Sequence, residues 1–305
     1  MAMRHCRADG IFPSALPGVN LMRFSWPSQP LVNVQSPSMA VVLQGAKCVS
    51  FAGSNLTYKA GQYALAAIHL PAISRILEGS ADRPLVAVVI DISFGELREV
   101  MKRCDHLPAV GSTRGVEVFD ADCSLLESVI RLLRLLDTPP HIKPLAPLLR
   151  QEILYRLLAG PGGPRLIEIC NHGSPASHVT EVTSWIRRNY AEDLRIEELA
   201  DIAGMSVAAF HQHFKAITGM SPVQYQKSVR LQEGRRSLFL DNLDVHEASL
   251  RAGYHTASQF SRDYRAYFGR LPKADAFIYH RQGGAPIHAY SPVPLQETQG
   301  ALAAS

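Results

Sequence analysis

Few of the chemically active side chains in this sequence stand at the spacings that catalysis or metal binding requires. The five cysteines are scattered and include no CxxC pair, which argues against a zinc ribbon or a disulfide framework. The sequence contains no GxSxG, P-loop or GxGxxG motif. His211 and His213 form an HxH, but on a predicted helix residues i and i+2 do not face each other. We therefore expect no catalytic residue, no metal site and no cofactor.

Two stretches of the chain, Leu199–Gly219 and Ala248–Gly269, repeat one order of residue types. Each has a short apolar helix, a glycine turn and a second helix that ends at a glycine. Ser206 and Thr256 are the predicted N-caps of the second helices, and Thr256 with Gln259 forms a predicted capping box. Two aromatic residues four positions apart share one face of each second helix: Phe210 with Phe214, and Phe260 with Tyr264. This is the helix-turn-helix pattern, whose second helix offers polar side chains to the DNA major groove.

A long helix, from Pro222 to about Leu240, is predicted between the two units. Ser221 and Gln224 form a capping box at its start. Roughly 19 residues give about 28 Å of rise, enough to hold two recognition helices near one ~34 Å turn of DNA. One helix-turn-helix pattern is a weak signal, whereas two joined by one helix are a specific one. Gly234 lies inside this helix, where it is expected to cost roughly 0.5–1 kcal/mol and to loosen the coupling of the units.

Positive charge is concentrated in the same part of the chain. The whole sequence has a net charge of +4, with 47% hydrophobic and 19% charged residues, an ordinary globular mixture. Residues 205–281 contain 11 Lys and Arg against 6 Asp and Glu, which fits a polyanion-binding face or a solvated surface equally. No apolar run reaches the ~18–20 residues of a membrane span, and no secretory signal is evident. The expected compartment is the reduced cytoplasm.

The N-terminal half has a different character. Residues 1–35 are rich in Pro, Ser and Gly and are predicted to be irregular, whereas residues 36–95 contain short strands bounded by turns. Leucines at helical spacing then predict two helices, over about 125–136 and 145–159. The predicted organisation is a disordered N-terminus (1–10), a β domain with these helices (11–170), a linker (171–178), the helical domain (179–282) and a disordered tail (283–305).

The stretch Ala252–Pro272 resembles the second helix-turn-helix signature of the AraC/XylS family of transcription regulators almost throughout. Residues 205–227 are similar to the family's first recognition helix and the start of its linker helix. The N-terminal half is similar to the cupin-like domain of one subgroup at Val41–Lys47, Arg131–Pro139 and Leu145–Leu158. The resemblance covers about residues 11–281.

This resemblance implies an α+β fold. A cupin-like β-barrel with two C-terminal helices of its own would precede an all-α domain of two helix-turn-helix units joined by a linker helix. The implied function is sequence-specific binding of double-stranded DNA by a transcription regulator. It would be an activator that responds to a small-molecule effector and contacts RNA polymerase.

The family pattern also assigns DNA contacts by position. The candidates for reading bases are Ala208, His211, Gln212, Ser258, Gln259 and Arg262. Gln212 and Gln259 suit adenine edges, and Arg262 suits guanine through two hydrogen bonds. The candidates for phosphate contacts, which position the protein without reading sequence, are Ser206, Lys215, Lys227, Thr256, Arg265 and Arg270.

Several alternatives remain open for the N-terminal half. Its leucine-rich helices either pack in the domain core or form the seam of a homodimer, for which the candidates are Leu125, Val129, Leu132 and Leu136. An effector of unknown identity would occupy the mouth of the barrel.

Cys48 offers a second mode of sensing. It is either a thiol that detects electrophiles, activated by the neighbouring Lys47, or a small buried apolar residue. A cupin-type enzyme is the remote alternative. Residues 36–95 contain a single histidine, His69, which we interpret as structural because a metal site needs several converging ligands.

Overall fold

The computed structural model describes residues 2–6, 8–27, 31–108 and 115–281. After a short helix α1 (Ala2–His5), the described residues of the N-terminal domain form ten strands. They are β1 (Gly10–Pro13), β2 (Val19–Phe24), β3 (Leu31–Gln35), β4 (Ser38–Gln44), β5 (Ala46–Phe51), β6 (Ser54–Lys59), β7 (Gln62–Ala66), β8 (Leu70–Glu78), β9 (Leu85–Asp91) and β10 (Val116–Asp120).

These strands form two antiparallel sheets. Six strands pair in the order β1-β2-β9-β4-β7-β10, and four pair in the order β3-β8-β5-β6. Val41 and Val88, which pair across β4 and β9, are both inaccessible to solvent, as are Val49 of β5 and Leu65 of β7. The two faces thus enclose one apolar core. The α+β class is as the sequence predicts.

Four helices complete this domain: α2 (Phe94–Met101), α3 (Cys123–Arg134), α4 (Ile142–Ala159) and α5 (Gly163–Cys170). Asp122 caps α3 by accepting a 2.7 Å hydrogen bond from the Leu125 amide. Two single-turn 3-10 segments, Leu135–Asp137 and Pro139–His141, connect α3 to α4. Helices α3 and α4 correspond to the two predicted ones.

The four residues of the predicted dimer seam lie in the core of their own domain. Leu125, Val129, Leu132 and Leu136 are all at most 8% exposed. Of the two alternatives that the sequence left open for these helices, this burial favours packing in the domain core.

Up to residue 281, where the described chain ends, the C-terminal domain has seven helices: α6 (Pro175–Arg188), α7 (Ile196–Ile202), α8 (Val207–Thr218), α9 (Pro222–Phe239), α10 (Val245–Arg251), α11 (Ala257–Phe268) and α12 (Pro272–Arg281). In the described part of the chain, no helix combines the length and apolarity that crossing a membrane would require.

The structure differs from the predicted organisation in three places. The stretch 1–35 contains a helix and three strands, and Cys6 is buried, where irregular or disordered chain was predicted. The linker is shorter than predicted, since Ser174 already caps α6. Helices α2 and α5 were not predicted; both are only eight residues long, too short for a clear periodicity. The predicted disordered tail, 283–305, lies outside the described residues.

Candidate nucleic-acid interface

The first helix-turn-helix unit is formed by α7 and α8. The Ser206 side chain accepts a hydrogen bond from the Ala209 amide at 3.3 Å and so caps α8, as predicted. Phe210 and Phe214 are fully buried, with ring centroids 5.4 Å apart. Gly219 ends the helix at φ +73°, the left-handed conformation that favours glycine. The aromatic pair anchors one face of α8 and leaves the opposite face in solvent.

The second unit, α10 and α11, repeats these features. Phe260 and Tyr264 are fully buried, and Gly269 ends α11 at φ +76°. The Thr256 side chain accepts a hydrogen bond from the Gln259 amide at 3.2 Å, so the cap is confirmed but only this half of the predicted capping box is formed. A reciprocal capping box that was not predicted occurs at the start of α10, between Asp244 and Glu247.

The linker helix α9 has the capping box predicted at Ser221 and Gln224. Its 18 residues correspond to about 27 Å at 1.5 Å per residue. The packing around Gly234 favours the opposite of the predicted loosening. A Cβ at this position would lie 2.6 Å from Cε2 and 2.8 Å from Cζ of Phe260, so the glycine permits close packing of the second recognition helix on the linker.

A buried ion pair further fixes the second unit. Asp275 of α12 is 5% exposed, and its Oδ2 atom accepts hydrogen bonds from Nε of Arg235 at 2.8 Å and from the Tyr264 hydroxyl at 2.7 Å. The Arg235 guanidinium also lies over the rings of Phe239 and Phe268, 4.5 and 5.1 Å from their centroids. The sequence analysis did not identify this pair, because its two members are 40 positions apart and leave no local signal.

The residues predicted to read bases are all exposed: Ala208, His211 and Gln212 on α8, and Ser258, Gln259 and Arg262 on α11. The predicted phosphate contacts are exposed as well: Ser206, Lys215, Lys227, Thr256, Arg265 and Arg270. On α8 and α11 alike, the candidates for reading bases are exposed, whereas the aromatic pair of the same helix is buried.

Two of these phosphate candidates already have acidic neighbours. The Nζ atom of Lys227 lies 2.9 Å from Oδ1 of Asp263, which joins the linker helix to α11. The Arg270 guanidinium lies 4.0 Å from Oδ1 of Asp275. Both cations therefore contribute to the packing of the domain in this structure.

The two domains meet at His69, in the loop before β8. The Tyr225 hydroxyl of α9 donates a 2.7 Å hydrogen bond to the His69 carbonyl. The Nη1 atom of Arg187, on α6, lies 3.1 Å from Nδ1 of His69 and 3.1 Å from Oγ of Ser36. Burial, followed by the charges of Arg187 and Arg188, lowers the pKa of His69 to about 3, so the ring is neutral. His69 is thus structural, as the sequence suggested, and its role is to connect the domains.

A cavity of about 1700 Å³ lies beside this contact. Both domains contribute to its wall, which is mainly apolar and includes Ile92, Phe94, Ile142, Ile169, Trp185 and Ile202. Its charged lining residues are the cations Arg98, Lys143, Arg150, Arg187 and Arg188 and the acids Asp91, Glu96 and Glu181. The sequence predicted a ligand site in the mouth of a barrel and gave no signal for this position, because the wall is assembled from segments far apart in the chain.

The geometry around Cys48 does not support activation of its thiol by Lys47. Adjacent residues of a strand point to opposite faces. Lys47 is 2% exposed, with Nζ 3.6 Å from the Met22 sulfur and 5.6 Å from the centroid of the Tyr58 ring. Cys48 is itself 9% exposed, which fits the alternative of a small buried residue. Burial lowers the pKa of Lys47 to about 8. Within the described ranges, no group of three or more His, Cys, Asp or Glu side chains could hold a metal ion.

Two family models match most of the chain. The model described as the AraC-type transcriptional regulator N-terminus matches residues 15–165, and a helix-turn-helix domain model matches residues 199–275. Among curated proteins, the transcriptional regulator ExsA of Pseudomonas aeruginosa is 24% identical over 203 residues, 67% of this chain and 67% of ExsA. The transcriptional activator RhaS of Pectobacterium carotovorum is 29% identical over 102 residues, which are 33% of this chain and 37% of RhaS.

Solved structures show a similar fold. Apo ToxT from Vibrio cholerae aligns with a TM-score of 0.59 at 8% identity, covering 85% of this chain and 96% of that one. A ToxT structure with a bound unsaturated fatty acid aligns with a TM-score of 0.58. At this identity the likeness extends to the arrangement of the two domains and their elements.

Proposed function

Because this chain belongs to the AraC family of transcriptional regulators, we propose that its two helix-turn-helix units bind one face of double-stranded DNA and control transcription there. The observation that carries the proposal is the repeated geometry of α8 and α11. Each helix buries an aromatic pair, ends at a left-handed glycine and exposes a polar face. The buried Phe260–Gly234 contact and the Arg235–Asp275 pair hold the second reading helix firmly on the linker.

The assigned contacts follow from side-chain chemistry. In this proposal Gln212 and Gln259 bind adenine edges, and Arg262 binds guanine at O6 and N7. Ser206 and Thr256 bring the N-termini of α8 and α11 near phosphates. Lys215 and Arg265 bind phosphates of the DNA backbone. Lys227 and Arg270 do the same once a phosphate replaces their contacts with Asp263 and Asp275.

The effector site in this proposal is the cavity between the domains. ToxT, a structural neighbour, has been crystallised with a fatty acid. In the present chain the cavity combines apolar walls with cations from both domains, so a ligand there would contact the DNA-binding domain directly. The relative RhaS is named an activator, and we propose the same direction of control, through contact with RNA polymerase in the cytoplasm.

We also propose that the protein is a homodimer on DNA, since two copies would double the number of base-reading helices. Sedimentation of the full chain would then give twice its mass of 33.5 kDa. A single-chain mass at concentrations that saturate DNA would contradict the dimer and leave the DNA-binding proposal standing.

The experiment that tests DNA binding is selection of sequences from a random duplex library by the full-length protein, followed by mobility shift of the selected site at two salt concentrations. We expect enrichment of one bipartite motif and binding that weakens steeply as salt rises, because neutralised phosphates release counterions. Failure of the folded protein to enrich any motif, with and without candidate ligands, would contradict the proposal.

A further inference from the structure

Arg187 connects the domains without a carboxylate partner. It lies in the last turn of α6, and its two hydrogen-bond partners in the other domain, His69 and Ser36, are both uncharged. Among the described residues, no carboxylate oxygen lies within 4.0 Å of its guanidinium. An arginine side chain stays protonated in proteins, so this is a partly buried cation held by neutral acceptors.

Such a cation favours an anionic ligand over its present partners. Hydrogen bonds between a guanidinium and a carboxylate are shorter and about twice as strong as those between neutral groups. The planar fork of arginine also matches the two carboxylate oxygens. Partial burial reduces the screening by water that weakens such pairs at a surface.

The surroundings of Arg187 define the rest of the ligand. The residue lines the interdomain cavity beside Trp185, with apolar walls that include Phe94 and Ile142. Of the other cations, Arg150 is 3.0 Å from Glu96 and is engaged by that carboxylate. The available volume, about 1700 Å³, accommodates an organic molecule with a sizeable apolar body.

The position of Arg187 couples this site to the DNA-reading half of the protein. The same residue that accepts from Arg187, His69, also accepts from Tyr225 through its carbonyl. Tyr225 is fully buried on the linker helix, with its ring centroid 5.5 Å from that of Phe214 on the first recognition helix. His69 is therefore hydrogen-bonded to both α6 and α9.

We infer that the effector is an organic anion with an apolar body, an inference that rests on the proposed function. The anionic group of the ligand binds the Arg187 guanidinium and replaces its hydrogen bonds to His69 and Ser36. Ligand binding and the Arg187–His69 contact exclude each other. Ligand binding in the cavity thus breaks the Arg187–His69 hydrogen bond and leaves the hydrogen bond from Tyr225. This changes how the β domain restrains α6 and α9. No covalent step is involved.

Three probes of matched shape test the charge requirement: 4-phenylbutyrate, 4-phenylbutan-1-ol and 4-phenylbutylamine. In the full-length Trp26→Phe protein, Trp185 in the cavity wall is the single tryptophan, and its fluorescence reports binding. We expect saturable quenching by the carboxylate, binding of the alcohol weaker by about tenfold or more, and still weaker binding of the amine.

Two variants test the exchange in the same background. Arg187→Gln should weaken carboxylate binding about tenfold or more, because it removes the charged donor. His69→Ala should strengthen it, because the competing acceptor is gone while Arg187 is kept. Arg134→Gln, an exposed arginine on α3, serves as the matched control and should leave the affinity within about twofold.

The outcomes separate this inference from the proposed function. Equal binding of carboxylate and alcohol, unchanged binding by Arg187→Gln, or weaker binding by His69→Ala would each overturn it, as would the absence of binding by all three probes to folded protein. Mobility shift of the selected DNA is measured on the same samples. Loss of DNA binding alone would contradict the regulator function and leave the ligand result as measured.

Discussion

At the scale of single residues, the exposed faces of α8 and α11 combine two kinds of contact that mutation can separate. Arg262 has the donor geometry to read one guanine, whereas Lys215 has a point charge that suits any phosphate. Both side chains project from helices whose inner faces are fixed by fully buried aromatic rings. Replacing either one should therefore change DNA binding without changing the fold.

We expect Arg262→Ala to cost about 1–3 kcal/mol in binding and to relax the base preference at one position of the selected site. The measurement is the affinity of the protein for the selected DNA site and for the variants of that site in which each base pair is replaced by the three others. Lys215→Ala is the control, since it should weaken all sequences alike and reduce the slope of log K against log salt by about 1. A base preference unchanged in Arg262→Ala would contradict the assignment.

Asp275 is a stabilising residue of the same domain. Asp275→Ala should lower the free energy of unfolding by about 3–5 kcal/mol, because the buried Arg235 guanidinium and the Tyr264 hydroxyl both lose their carboxylate. Chemical denaturation followed by circular dichroism measures the change. Glu198→Ala, which breaks the exposed pair with Arg195, should cost less than about 1 kcal/mol. Equal effects of the two substitutions would be inconsistent with the buried pair.

At the scale of elements, the linker helix depends on a residue that usually weakens helices. Gly234→Ala would raise intrinsic helix stability by about 0.5–1 kcal/mol, but the added Cβ would collide with the Phe260 ring, and overpacking typically costs about 1–3 kcal/mol. We expect a net loss of stability and weaker recognition of the half of the DNA site that α11 contacts. Thermal unfolding and a footprint of the variant measure the two effects.

Gly95, in α2, offers the matched control. A Cβ there meets nothing closer than Oγ of Ser93 at 3.6 Å, so Gly95→Ala should be neutral or stabilising. A Gly234→Ala protein that is as stable as Gly95→Ala and retains the whole footprint would show that the Phe260 contact does not position α11.

Local signals made the helical domain predictable in detail. The caps at Ser206, Ser221 and Thr256 involve residues three apart, and the buried aromatic pairs involve residues four apart. The α3 and α4 helices followed from periodicity, whereas the fold class was implied by the family resemblance. Contacts that depend on tertiary packing left no such pattern. The ring of Phe260 against Gly234 and the contact of Arg187 with His69, 118 residues away, connect segments that sequence spacing cannot relate.

At the scale of the whole molecule, the cavity proposed as the effector site lies at the boundary between the two domains. Both domains contribute to the cavity wall and to the hydrogen bonds beside it. Gly219, at the end of α8, also packs against Ala52 of the β5–β6 turn, since a Cβ added to Gly219 would lie 2.5 Å from the Ala52 Cβ. The DNA-binding domain thus contacts the N-terminal domain at several points. In the proposed mechanism, a ligand in the cavity would change the energy of those contacts, which is the requirement for coupling between two sites.

The cavity wall also makes stability depend on pH. Burial raises the pKa of Asp91 to about 6, despite the opposing charge of Arg150, and its Oδ1 atom has no hydrogen-bond partner in the described structure. A folded-state pKa above the unfolded value means that the ionised carboxylate destabilises the fold above about pH 6, and that this penalty is relieved as the pH falls toward 4.

Asp91→Asn should accordingly raise the melting temperature at pH 7.5 by more than it does at pH 5. Differential scanning calorimetry of both proteins at the two pH values measures the difference. The same increment at both pH values, or a variant that melts earlier than wild type at pH 7.5, would contradict the assigned pKa shift.

The most direct test of the central claim is a hydroxyl-radical footprint of the full-length protein on its selected DNA. If α8 and α11 both read bases from one rigid domain, each bound domain should protect two adjacent major-groove segments on the same face, about 10 base pairs apart. In the Arg262→Ala protein only the α11 segment should weaken. Protection of a single segment, or protection spread over opposite faces of the duplex, would contradict the two-unit reader.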